Sequence, residues 1–521
     1  MGEQTHIVMK TKLNLFAMVL GALLLALPAA VQAQLIFTTN NGAITITGYN
    51  GPGGAVVIPA TTNGLSVINI GNSAFQNRTN VTSVTIPNSV TNIGDSAFYL
   101  CFNLTNLTIG NGVIHIGGYA FRSCYRLRNV TIPDQVTTLG GYAFANCDGL
   151  TNLILGNRVA SIEGQAFYSC SHLTSMTIPR SVTNIGGGVF NATSRLTTIT
   201  VDPNNPAYSS AGGVLFDKNQ TTLIQCPGGV TAYTIPDGVL NIADLGFMQC
   251  FNLESVTIPG SVTNIGNDAF LFCYALGSLT VPKGVISIGA NAFQYCSSLS
   301  CVTIPQSVLS IGGGSFDNCD VLGAITVDPN NPAYSSVGGI LFDKSQTTLI
   351  RCPEGLSGCT IPDGVMNIVD EAFAFSYALR SVTIPGSVTN IGNAAFIYCY
   401  NLTSVYCKGN APSLGGSDVF TYDNNVTVYY LPVTTGWSAT FGGVPAMLWN
   451  PQATTFVADE SQFGFNITGP TSATIVVEAC TNLTSPVWTP IGTNTLTGGA
   501  AYFSDPQWTN YPGRFYRLRS Q

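Results

Sequence analysis

The sequence predicts a mostly β chain, a solenoid of about fifteen turns built mainly from 23-residue units, closed by a small C-terminal β-sandwich. Three observations lead there. First, Phe75, Phe98, Phe121, Phe144, Phe167 and Phe190 fall 23 residues apart, as do Phe247, Phe270, Phe293 and Phe316, then Phe373 and Phe396, with Phe420 at 24. Second, whole stretches recur: VTIPNSVTNIGDSAFYLC at 84–101, VTIPGSVTNIGNDAFLFC at 256–273 and VTIPGSVTNIGNAAFIYC at 382–399. Third, the period stops near 450, and the remainder reads as short strands between Gly, Pro and Asn turns.

At the N-terminus, Lys10 and Lys12 precede an apolar run from Leu13 to Ala30, and Val31-Gln32-Ala33 has the small-x-small form of a cleavage site. Residues 1–33 are therefore expected to be a signal peptide, with the mature chain beginning near Gln34. Residues 34–59 break the period and read as an N-terminal cap hairpin over the open sheet edge. The solenoid is expected over 60–425.

Within a unit, Val84 and Ile86 alternate with Ser83 and Thr85, the period of a strand buried on one face. Pro87 has no N–H to give and stops the ladder. Val90 and Ile93 mark a second short extended piece, Gly94 a turn, and Ala97-Phe98 a compact segment from which Cys101 and Leu104 point inward. One unit cannot bury its own apolar face, but stacked units can, so each turn meets the same environment and carries the same residues. Two inserts, 201–227 and 327–353, are near copies offset by 126 residues and read as a duplicated block. Residues 426–449 are expected as the C-terminal cap and 450–521 as the β-sandwich tail module.

Composition narrows the function. Charged residues make up 8 % of the chain, against roughly 25 % in an ordinary globular protein. The formal net charge is −7 with no basic cluster, which argues against nucleic acid as a partner. After the leader, no segment has the ~20 continuous apolar residues that span a bilayer.

The unit L-x-x-[VL]-T-I-P-x-x-V-x-x-I-G-x-x-A-F-x-x-C resembles the BspA-like, treponeme-type class of bacterial leucine-rich repeats, over roughly 50–450. Gly110 and Gly156 stand where Pro is usual, and Thr193 and Ser376 where Cys is usual. The resemblance implies an exported or surface protein, with adhesion the commonest role, and no shared catalytic motif. The tail, mainly through Arg514-Phe515-Tyr516-Arg517-Leu518, is similar to a terminal module on exported verrucomicrobial and planctomycete-type proteins.

Candidate chemistry is sparse. Nine of the 15 cysteines share one repeat position: Cys101, Cys124, Cys147, Cys170, Cys250, Cys273, Cys296, Cys319 and Cys399. Stacked side chains point in parallel, which suits the disulfide dihedral badly, so a ladder of reduced, buried thiols is expected. Cys301 falls where other turns have Ser or Asn and is expected to be exposed. No C-x-x-C pair occurs, and beyond the leader only His115 and His172 remain, so no metal site, catalytic residue or cofactor is assigned. The repeated Asp202–Pro206 and Asp328–Pro332 segments read as turns before calcium sites. Trp488, Trp508, Tyr502 and Tyr511 in the tail read as core before a sugar-stacking platform.

One outward position repeats: Thr85, Thr108, Thr131, Thr177, Thr200, Thr234, Thr257, Thr280, Thr303, Thr326, Thr360 and Thr383. Thr suits a half-exposed strand for its own sake. The functional reading is a flat, weakly charged contact surface. Together these features point to an exported non-catalytic scaffold that binds an unidentified protein or glycan in adhesion or cell-surface interaction. The alternatives are a structural envelope component and a carbohydrate-binding accessory to extracellular enzymes. The compartment is secreted or cell surface, with the periplasm as the other choice.

Overall fold

The computed structural model describes residues 34–520 apart from 450, 459–461, 470–473 and 498, and the signal peptide expected over 1–33 lies outside the described residues. The chain forms a mostly β solenoid of about 17 turns followed by a sandwich. It divides into two compact units, one running to Ser345 and taking in Pro353–Gly355, the other comprising Gln346–Cys352 and Leu356–Gln521.

Each turn of the first unit contributes to three ladders. The outer ladder holds strands such as Val81–Thr85, Asn106–Thr108 and Asn129–Thr131, stacked in parallel. Val84 and Ile86 are buried and Thr85 faces outward, as the alternation requires. A second parallel ladder holds two-residue strands such as Asn92–Ile93 and His115–Ile116, with Ile93 and Ile116 buried. Gly94 is set by space: a Cβ there would lie 2.8 Å from the Asn72 nitrogen of the turn before.

The third ladder was not expected. Two residues per turn adopt left-handed backbone, Ser96 at φ 55° and Leu100 at φ 64° in the turn of Phe98. Alternating conformations aim Ser96, Phe98 and Leu100 N–H groups at the next turn, donating to Gly118, Ala120 and Arg122 carbonyls at 2.8, 2.7 and 3.0 Å. A left-handed non-glycine residue costs roughly 1–2 kcal/mol. The inter-turn hydrogen bonds offset this, since a buried N–H left unpaired costs about as much or more. Inside this ladder the phenylalanines stack: Phe98 and Phe121 lie 5.1 Å apart with planes 3° from parallel.

The ends account for the added turns. Leu35–Asn40 and Ala43–Tyr49 form an antiparallel hairpin, but Gly54–Val57 already pairs in parallel with Val81–Thr85. In the second unit Thr427–Tyr430 and Val444–Leu448 likewise continue the outer ladder. The solenoid thus reaches further in both directions than a count of phenylalanines gives.

Each insert folds out a hairpin, Tyr208–Ala211 with Val214–Asp217 in the first copy and Tyr334–Val337 with Ile340–Asp343 in the second. The Asp-Pro-Asn-Asn-Pro segments serve as anchored turns. Asp202 accepts from the Asn204 amide at 2.8 Å. Fully buried Asn205 donates to the Pro179 and Val182 carbonyls and accepts from Ala207 and Tyr208 amides, all within 2.9 Å. Asn331 repeats the pattern. At the first seam the third ladder lacks a backbone partner, and buried Gln225 supplies one, accepting from the Phe190 amide at 3.3 Å and donating to Asn191 Oδ1 at 2.6 Å.

In the second unit the tail forms two three-stranded antiparallel sheets. One orders Gln452–Ala458, Phe463–Thr468 and Ala500–Asp505; the other orders Thr489–Thr495, Thr474–Cys480 and Phe515–Ser520. Phe465, Ile467, Ile475, Val477, Leu496 and Phe503 make its core. Tyr406 and Tyr429 of the outer ladder pack against the same core, so sandwich and last turns share one apolar cluster. Among the described residues no helix is long and apolar enough to cross a membrane.

Candidate functional site

The threonines do form columns. Thr85 pairs with Thr108, Thr177 with Thr200, Thr234 with Thr257, Thr280 with Thr303 and Thr303 with Thr326 in the first unit, and Thr360 with Thr383 in the second. Thr85 and Thr383 are half-buried; Thr108, Thr131, Thr177, Thr200, Thr234, Thr257, Thr280, Thr303, Thr326 and Thr360 are exposed. Rungs of a parallel sheet are ~4.8 Å apart, which sets the spacing of the side chains. A neighbouring column behaves differently. Thr105, Thr151 and Thr197 hydroxyls donate to the Thr82, Arg128 and Thr174 carbonyls one turn back, at 2.9, 3.1 and 3.4 Å. Those hydroxyls are consumed by the fold, whereas the outward column presents its own to solvent.

The column is not uniform. Ile154 holds the position next to Thr131 and is 52 % exposed. In the second unit the register runs from Thr383 to Tyr406 and Tyr429, whose rings stack at 5.4 Å under the tail. Reading the column by threonine alone passes over these tyrosines.

Sequence reasoning also missed aromatic columns on the turn edge, although they keep the period. Phe102 stacks on Tyr125, and Phe251 on Tyr274. Arg122 lies 5.3–5.7 Å from the rings of Tyr99, Tyr119 and Tyr142. The second unit concentrates them: Phe375, Tyr398 and Tyr422 form one stack, Tyr377 and Tyr400 another. Beside Tyr400, a groove of about 590 Å³ is lined by Arg380, Ser381, Asn401 and Tyr406 among others.

A smaller cavity of about 310 Å³ near the last turn is lined by Phe420, Thr421, Asp423 and Gly442–Pro445. Asp423 is 2 % exposed, and burial pushes its carboxyl up to about 7, with the Cys399 amide pulling the other way.

The cysteines are thiols, fourteen buried and Cys301 exposed. Each ladder thiol sits over a carbonyl: Cys101, Cys124, Cys147 and Cys170 donate to Phe75, Phe98, Phe121 and Phe144 oxygens at 3.2–3.5 Å. Burial pushes Cys101 and Cys170 up to about 12, far from the thiolate that nucleophilic or metal chemistry needs. His115 and His172 are both exposed and sit in different repeat positions.

The tail aromatics are not core. Tyr502 and Tyr511 are exposed, and Trp488 and Trp508 are half-buried. Arg517 covers the Trp488 ring at 4.5 Å and Arg514 covers Tyr511 at 4.2 Å. Rings capped by guanidinium groups do not make an open stacking platform either. The closing motif instead clamps the sandwich. Arg514 pairs with buried Asp505 at 3.1 Å, and the Tyr516 hydroxyl donates to the same carboxylate. Hydrogen bonds from Arg519 and Arg517 hold the Glu478 carboxyl below its ordinary range.

Comparison with known proteins agrees with this architecture. The model of the BspA type leucine rich repeat region matches residues 58–159, 91–222, 224–348 and 349–436, stopping short of the tail. A leucine rich cell surface protein from Faecalibacterium prausnitzii is 28 % identical, with 72 % of this chain and 93 % of that one covered at a TM-score of 0.42. A leucine-rich repeat protein from Eubacterium ventriosum is 25 % identical, covering 69 % and 91 % at 0.46. The pneumococcal vaccine antigen PcpA is 18 % identical, covering 80 % and 97 % at 0.43. A search of curated proteins gives no match. With its recurrent Ile-Pro, Ile-Gly and Ala-Phe steps each placed in a ladder, and the repeat matched from 58 to 436, the chain belongs to the BspA-type leucine-rich-repeat family.

Proposed function

We propose that the protein is an exported, non-catalytic scaffold whose outer ladder binds a protein or glycan at a surface. The observation that carries this is the column of outward threonines whose hydroxyls, unlike those of the adjoining column, are not drawn into inter-turn hydrogen bonds. An uncharged row of hydroxyls, broken at Ile154, offers donors and acceptors at rung spacing with little desolvation of charge. The leader over 1–33 supports export, and the raised thiols and scattered histidines speak against catalysis.

The test is binding of the mature full chain to a glycan array and to intact cells, wild type against Thr108→Lys, Thr131→Lys and Thr177→Lys combined. The substitutions leave buried faces untouched, so circular dichroism should not change. Binding should fall at least about tenfold, as for loss of a central contact patch. Equal binding by the triple variant, or none by the wild type, overturns the reading.

A further inference from the structure

We propose that the groove around Arg380 in the second unit binds the carboxylate of an acidic sugar residue within a glycan chain. This rests on the scaffold reading above but assigns a separate site and a ligand class.

The groove is about 590 Å³, within the usual range for ligand sites of ~300–1,000 Å³. Its walls are nearly all uncharged: Ser357 and Ser381, with Asn401 and Thr403, whose amide and hydroxyl donate to the Tyr377 and Arg380 carbonyls at 2.7 and 3.1 Å. Into this setting the sequence puts one guanidinium, Arg380, which is exposed and has no ion pair among the described residues. A guanidinium fork matches a carboxylate in two parallel hydrogen bonds. Sites for phosphorylated partners gather several cations, and this groove has one.

Two rings line the same groove. Tyr400 ends the stack that begins with Tyr377, and Tyr406 begins the stack that continues with Tyr429. Each therefore keeps a face with no parallel ring on it, in contrast to the enclosed rings of the phenylalanine column. An open tyrosine face offers an apolar surface with a polar tip, the pairing that a pyranose ring with its axial C–H groups needs. The tail holds Tyr406 in place, because Tyr406 packs against the sandwich core.

The duplicated block supplies an internal comparison. At the equivalent positions 126 residues earlier, Ser381 and Tyr400 become Ser255 and Tyr274, but Arg380 becomes Glu254 and Tyr406 becomes Thr280. The scaffold is copied; the cation and second ring are particular to the second copy. A feature needed for stacking alone would recur in both.

The experiment is calorimetric titration of the mature full chain with oligomers of galacturonate, glucuronate, mannuronate and sialate, each beside its carboxyl-reduced counterpart. At least one acidic oligomer should bind, and its reduced form should bind about tenfold or more weakly. Arg380→Gln should lose the same factor, and Arg380→Lys should fall between. Tyr400→Ala should weaken acidic and reduced forms alike. Failure of every acidic oligomer, indifference to carboxyl reduction, or an Arg380→Gln variant that binds like wild type overturns the proposal. The triple threonine variant, titrated in parallel, should keep this binding, so the two sites fail separately.

Discussion

Asp423 stands where other turns place the ladder cysteine, one step past Cys399. A thiol at that position costs nothing when buried, whereas a carboxylate must be desolvated. In the unfolded chain an aspartate titrates at about 4. In the folded protein burial carries Asp423 to about 7. The folded state therefore holds the proton more tightly: its contribution is fully present below about pH 4 and is lost as pH rises through about 7. Melting temperature should fall from pH 4 to pH 8 in the wild type, and Asp423→Asn should remove that part of the slope while raising stability at pH 8. Parallel slopes for the two proteins would show that the carboxyl does not titrate in this window. Little of this was legible in the sequence. A column defined by the identity of its cysteines leaves a departing position unread; Tyr406 and Tyr429 drop out of the threonine column in the same way.

At the scale of the element, periodicity disclosed two of the three ladders. Val84 and Ile86 alternate, Pro87 stops the strand, and Ile93 marks the next one, all local signals. The third ladder gave little such signal because its left-handed positions mostly hold residues such as Ser96, Tyr119, Tyr142 and Gln165, with glycine at Gly188 and Gly314. The non-glycine residues have no preference for that backbone. The carbonyls of the following turn impose it, and no single unit contains them. The ladder thiols share this dependence, donating to carbonyls of an earlier turn. A thiol reagent added to the native protein should therefore label Cys301 and, after denaturation, all 15 cysteines. Fewer thiols on denaturation would reveal disulfides, and several reacting in the native state would mean that the ladder opens. Cys301 itself was legible, because many other turns hold Ser or Asn at its place in the column.

At the scale of the whole molecule, the tail was recognisable as a sandwich from its strands and closing motif, but its seat was not. Where other turns present threonine, Tyr406 and Tyr429 present rings, and the sandwich core rests on them. Restoring the repeat residue with Tyr406→Thr and Tyr429→Thr should release the sandwich without unfolding either part. Each ring contributes about 1–2 kcal/mol of apolar contact, so limited proteolysis between them should speed up about tenfold or more. Unchanged cleavage would mean that the contact is incidental. The seams carry a last consequence. Asn205 and Asn331 anchor the two inserts through the same bonds, so the 126-residue stretch between them begins and ends on matching joints. A gene built this way can gain or lose a block by recombination between its own copies and still encode a chain that folds. The length of the outer ladder is then a heritable quantity. Glu254 and Arg380 show the fate of a position once it has been copied: one address keeps its backbone while its charge is free to diverge.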